Sequence, residues 1–143
     1  MTARNLGLGA MIKLLRGNEE TISALQYAMG RTIAKVSLDS NVIYVGFADG
    51  SHLRIEETAQ SCCEERYTRT DDDLASYEGA TFVDIAIKDA PPVEDSDYTV
   101  HDVQFLELAT TAGPLTFSNH NEHNGYYGGF HIEASFTFPE VQP

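Results

Sequence analysis

From Arg31 onward the apolar residues of this chain recur at every second position, and short turn-forming clusters interrupt them. A period of two sends alternate side chains to opposite faces of an extended strand, so the chain must build sheet with a buried face. Ile33, Val36 and Leu38 mark one strand, Val42 to Phe47 a second, and His52 to Glu57 a third. In the third, Leu53 and Ile55 point inward, Arg54 and Glu56 outward. Asp39-Ser40-Asn41 turns the chain between the first two. Ala48-Asp49-Gly50-Ser51 turns it again, because Asp-Gly suits the positive φ of a type I′ turn. These three strands form a meander.

Further along, Phe82 to Ile87 alternates with Phe82, Asp84 and Ala86 on one side and Val83, Ile85 and Ile87 on the other. Val103 to Leu108, Leu115 to Ser118 and Phe130 to Phe138 add strands, with Val103, Phe105, Leu106 and Leu108 mostly buried. Asp89 to Thr99, with Pro91-Pro92 and several acids, reads as an exposed loop. Cys62 to Tyr67 fits either a strand or a short helix.

Ahead of Arg31 the period is helical. Leu8, Met11, Leu14 and Leu15 fall on one face of a helix over 5–16 that Gly17 stops. Asn18 caps a second helix whose first turn holds Glu19 and Glu20, whose stripe is Ile22, Leu25 and Met29, and which ends at Gly30. Both are expected to cover the sheet, with a docking arm for another subunit as the alternative. Thr70 caps a short helix near 71–78, with Asp71, Asp72 and Asp73 at its positive end and Leu74 and Tyr77 facing inward. The fold class is α+β: a mainly antiparallel sheet of about six to seven strands, two N-terminal helices and that short helix. The expected organisation is a helical arm over 1–30 and one β-rich domain over 31–143.

The chain has 143 residues, enough to bury a core without staples. Its net charge of −13 argues against binding a nucleic-acid backbone or an anionic membrane surface. No apolar run is long enough to span a bilayer, and the start of the chain lacks a cleavable signal pattern. The two cysteines, Cys62 and Cys63, are adjacent, where a mutual disulfide is strained, so a reducing cytoplasm suits the chain.

The strongest functional signal is His120-Asn121-Glu122-His123-Asn124-Gly125-Tyr126-Tyr127-Gly128-Gly129. A core does not need that mixture of imidazole, carboxylate, amide, phenol and glycine. It reads as the tip of a hairpin between the last two strands, where function concentrates. Candidate ligand-binding residues are His120, Asn121, Glu122, His123, Asn124, Tyr126 and Tyr127, with Cys62, Glu64 and Arg66 beside them. His120, His123, Cys62 and Cys63 are candidate metal ligands, with zinc the metal their chemistry suits, although no Cys-x-x-Cys or helical His-Glu-x-x-His spacing supports a resident cofactor. Arg66 and Arg69 either neutralise Asp71–Asp73 or meet an anionic ligand.

Four segments carry a resemblance: Cys62-Cys63-Glu64-Glu65-Arg66-Tyr67, Thr70-Asp71-Asp72-Asp73-Leu74, His101-Asp102-Val103-Gln104-Phe105-Leu106, and His120 through Phe130. Together they resemble a small domain family of unknown function found mainly in tailed bacteriophages of actinobacteria, over roughly residues 30–134. The resemblance brings no activity. It implies a phage product made in the host bacterial cytoplasm. The expected function is a small acidic non-enzymatic binding protein, taking a host protein or a small nucleotide-like ligand. A minor virion or decoration protein, assembled as an oligomer or on the particle, is the alternative. A metal-dependent enzyme using His120, His123 and a cysteine is the third reading.

Overall fold

The computed structural model describes residues 19–58, 64–89, 93–96, 99–123 and 130–139. The expected helix over 5–16 lies outside them. One α-helix, α1 (Glu19–Ala28), is followed by strands β1 (Ile33–Asp39), β2 (Val42–Phe47), β3 (His52–Glu57), β4 (Glu64–Arg69), β5 (Phe82–Asp89), β6 (Val93–Ser96), β7 (Thr99–Thr110), β8 (Gly113–His123) and β9 (Ile132–Thr137). All pairings are antiparallel. One sheet runs β1-β2-β3-β9, and the other runs β4-β8-β7-β5 with β6 also paired to β7. No helix among the described residues is long and apolar enough to cross a membrane.

The expected meander is the first sheet's β1-β2-β3. Its two turns exchange chemistries, however. Ser40 and Asn41 both have positive φ (50° and 65°) and join Asp39 to its partner Val42, which is the two-residue hairpin form. At Asp49-Gly50 only Gly50 is left-handed (φ 90°), and the Phe47 amide closes the loop onto the Ser51 carbonyl at 2.8 Å. That makes a three-residue loop with a left-handed glycine, rather than a type I′ turn.

The two sheets share one apolar core. Ile43, Val45, Leu53 and Ile55 from the first meet Phe82, Ile85, Leu106, Leu108, Leu115 and Phe117 from the second, and the Phe47 and Phe82 rings stack across at 6.4 Å. Helix α1 contributes Ala24, Leu25 and Ala28 to this core. Its Thr21 hydroxyl accepts the Ala134 amide at 3.1 Å, so the helix occupies the outer edge of β9. An edge strand left open would invite pairing with another chain, and the helix removes that opportunity here.

Three expectations about β5, β7 and the 71–78 segment are corrected. A bulge between Phe82 and Asp84 shifts the register, so Phe82 joins Ile85 and Ile87 inside while Val83 is exposed. In β7 the even positions face inward: Gln104, Leu106 and Leu108 are buried, while Val103 and Phe105 lie half-buried on the opposite face. The short helix is a single 3-10 turn (Leu74–Tyr77), capped by Asp73, whose Oδ1 accepts the Ala75 amide at 3.2 Å. Thr70 instead donates its hydroxyl to the Thr116 carbonyl at 2.8 Å, and Asp72 accepts the Thr116 amide at 2.8 Å. The expected loop over 89–99 contains β6 and the start of β7.

Candidate functional site

Of the ambiguous segment, the described part from Glu64 is strand β4, and the expected loop after Ser118 is strand through His123. Strand β8, at 11 residues, therefore runs well past the expected Leu115 to Ser118. It lies between β4 and β7, with Tyr67 and Val103 opposite His120 and with Glu64 and Val100 opposite His123. Nor does a hairpin join β8 to β9, because β9 pairs with β3 in the other sheet. The expectation of a hairpin tip at His120–His123 is thus corrected. Asn, His and Ser have modest strand propensity, but two flanking strands satisfy the backbone of each residue and override it.

Strand geometry then sorts the residues by parity. Asn119, Asn121 and His123 face the interior between the sheets. Ser118, His120 and Glu122 face outward. The His-x-x-His spacing that could bring two imidazoles to one ion in a loop places His120 and His123 on opposite faces of this strand. Among the described residues, no group of three or more His, Cys, Asp and Glu is arranged to hold a metal ion. Cys62, Cys63, Asn124, Tyr126 and Tyr127 lie outside the described residues.

The inward set forms a buried polar layer. Arg66 grips Glu64 with two bonds, Nε to Oε1 at 2.8 Å and Nη2 to Oε2 at 3.0 Å, and reaches Glu57 of the other sheet at 3.0 Å. The Arg66, Glu64 and Glu57 side chains are 7%, 1% and 5% exposed, so this is an ion cluster taken out of water. Burial weakens the guanidinium's hold on its proton, but the Glu64 and Glu57 carboxylates more than reverse that and raise its pKa. Asn121 donates to Glu64 at 3.2 Å, and His123 Nε2 sits 2.7 Å from Asp102 Oδ2. Thr68 donates to Asn119 Oδ1 at 2.7 Å, while Asn119 Nδ2 meets no acceptor among the described residues. The Thr68 amide donates to Asn41 Oδ1 at 3.0 Å, a second tie to the opposite sheet. Arg66 therefore neither neutralises Asp71–Asp73 nor stands open to an anion: its charge is committed to two buried carboxylates.

The outward set is different in kind. His120 Nδ1 lies 2.8 Å from His101 Nε2, and His120 Nε2 lies 2.8 Å from Ser118 Oγ. The Tyr67 ring stacks on His120 at 4.7 Å and 7° between planes, and the Arg69 guanidinium covers the Tyr67 ring at 5.0 Å. The Tyr67 hydroxyl donates to Glu122 Oε2 at 2.8 Å. Burial, then His101, then Arg69 depress the His120 pKa below its ordinary 6.5. Burial and the Glu122 bond push the Tyr67 phenol up to about 12. All five of Tyr67, His101, Ser118, His120 and Glu122 remain half-buried, on the solvent side of the sheet.

Of the candidates named from sequence, His120 and Glu122 meet on the outer face, while Glu64, Arg66, Asn121 and His123 meet inside. Arg69, named with Arg66 as a possible anion contact, also lies on the outer strand face, while Tyr67, His101 and Ser118 there, and Glu57, Asp102 and Asn119 within, were not singled out as ligand contacts. Once β4, β7 and β8 are taken as neighbours, the alternation of polar residues over 118–123 finds them. A family model described as Domain of unknown function (DUF7448) matches residues 26–131. No curated protein and no solved structure matches the chain.

Proposed function

The chain belongs to the DUF7448 family, whose function is unknown, and we propose that it is a small acidic binding protein whose contact surface is the outer face of β4, β8 and β7. One observation carries this reading. Tyr67, His120, His101, Ser118 and Glu122 form a single stacked and hydrogen-bonded patch, half-buried and fixed in place. Aromatic groups with polar tips supply much contact area at low entropic cost.

The buried layer beneath supports the same reading. Burying Arg66 with Glu57 and Glu64 stabilises less than apolar packing of the same volume would. It does fix the register of β4 against β8, and a slip of one residue would carry His120 and Glu122 to the inside. The polar interior thus holds the outer residues in position, as a recognition surface requires. The motif resemblance supports a tailed-phage origin and a role in the host bacterial cytoplasm, with a host protein or small ligand as the partner.

The test is capture. Immobilised full-length protein and a Tyr67→Ala/Glu122→Ala variant are exposed to bacterial host lysate and to a panel of cyclic nucleotides. A species retained by the first and lost by the second supports the reading. Equal retention, or none across lysate and panel, overturns it.

A further inference from the structure

Ser118 stands at the end of a line of three groups. Its Oγ is 2.8 Å from His120 Nε2, and His120 Nδ1 is 2.8 Å from His101 Nε2. A hydroxyl, an imidazole in contact with it and a third group orienting that imidazole together make an activated nucleophile. We infer that Ser118 is an acyl acceptor toward small activated esters, with His120 as its base and His101 as the positioning residue. This goes beyond partner binding and does not depend on it, since a small ester needs no partner surface.

The geometry favours one proton arrangement for this work. With its proton on Nδ1, His120 donates to His101 Nε2 and leaves Nε2 to accept from Ser118. The competing acceptor for the Ser118 hydroxyl, the Arg69 carbonyl, is at 3.4 Å, longer than a normal O–H···O bond. The depressed pKa of His120 keeps it unprotonated, as a base must be, at neutral pH.

Neighbouring strands complete the surroundings. Across the ladders Ser118 pairs with Arg69 on β4 and with Phe105 on β7. Directly opposite side chains on one face lie about 5 Å apart at Cβ. Arg69, its guanidinium over the neighbouring Tyr67 ring, is the cation on this face that could swing to a developing oxyanion. Phe105, with Val103 next to it on the same face, brings an apolar surface for an acyl chain to the β7 side of the hydroxyl. The substrate class is therefore an ester with a short apolar acyl group.

The step balances within these groups. Ser118 Oγ bonds to the carbonyl carbon as its proton passes to His120 Nε2. The tetrahedral oxyanion then collapses, the bond to the leaving oxygen breaks, and that oxygen takes the proton from His120 Nε2. Water repeats the sequence on the acyl-serine, restoring the hydroxyl and releasing a carboxylic acid.

The experiment is labelling of the full chain with a fluorophosphonate probe, read by intact mass and peptide mapping. The expected result is a single adduct on Ser118 that is absent in Ser118→Ala. His120→Asn should slow labelling by about 100-fold, the usual contribution of a general base. Ser76→Ala, on the 3-10 turn, should label like the parent. Around His120 stand Glu65, Tyr67 and Arg69 from β4, His101 from β7 and Glu122 from β8, and His101 lowers its pKa. His101→Asn should therefore move the pH of half-maximal labelling upward, which loss of structure alone would not do. No adduct, an adduct elsewhere, or labelling of Ser118→Ala or His120→Asn at the parent rate overturns the inference. Ser118→Ala removes only a half-exposed hydroxyl, so the comparison with the parent decides even where His120→Asn fails to fold.

Discussion

His120 and His123, three residues apart on strand β8, face opposite sides of one sheet. His120 meets His101 at 2.8 Å on the solvent side, and His123 meets Asp102 at 2.7 Å on the interior side. A single strand thus supplies two polar systems with different duties. Inside, the polar layer ties β4 and β8 to each other and to β3. Outside, the rings and hydroxyls are left in reach of solvent.

The inner system can be tested by truncating its one guanidinium. Arg66→Ala leaves Glu57 and Glu64 buried without their counter-charge. Removing one partner from a buried ion cluster costs about 3–5 kcal/mol. Urea unfolding monitored by circular dichroism should show a loss of this size, and a loss below about 1 kcal/mol would mean that the carboxylates find water instead.

The apolar joint between the sheets should be comparably sensitive. Phe82 is fully buried and stacks on Phe47 across the interface. Phe82→Ala should destabilise by about 3–5 kcal/mol through lost burial and a residual cavity. Val83→Ala, next to it but exposed because of the bulge, should cost under about 0.5 kcal/mol. Equal losses in the same melts would put the bulge in the wrong place.

The outer system carries a spectroscopic marker. Burial and the bond to Glu122 hold the Tyr67 phenol up to about 12. In a titration followed at the phenolate absorbance, subtracting the curve for Tyr67→Phe from the parent should isolate one phenol ionising near 12. Glu122→Gln should bring that phenol down, because the carboxylate no longer opposes the phenolate. An isolated transition at the ordinary value of 10 would remove the Tyr67–Glu122 contact.

Acid sensitivity follows from His120. Its folded pKa lies below 6.5, so the unfolded chain takes up the proton first as pH falls. The stability it contributes is complete above 6.5 and is lost as pH drops through the lower folded value. Denaturant midpoints between pH 7 and pH 5 should fall more steeply in the parent than in His120→Asn. Parallel slopes would show that the imidazole is not held neutral.

Much of the fold was legible because burial imposes a period. The β1-β2-β3 meander and the strand character of Phe82 to Ile87 follow from apolar residues facing one core, whereas α1 buries Thr21, Ala24, Leu25 and Ala28 and leaves Ile22 and Met29 of its expected stripe half-buried. The strand at 119–123 was not legible, because its inward positions are Asn119, Asn121 and His123 rather than apolar residues. The same is true of Gln104 in β7. A polar residue with a buried partner looks, in the sequence, like a polar residue in a loop. The bulge at Phe82–Asp84 was hidden for another reason: one extra residue reverses the faces without changing the composition.

By itself the sequence determined that this chain is an antiparallel β protein with helical cover, and that polar side chains crowd together from His120 to His123. Local periodicity and turn geometry carry that information, since they act between residues near in the chain. Tertiary structure alone decided that Glu64 and Arg66 go inside while Tyr67 and His120 stay out, and that His101 and Ser118 complete the outer cluster. Those pairings depend on which strands lie side by side and in what register. Register is set by the sum of contacts across the whole sheet, and no single segment holds it.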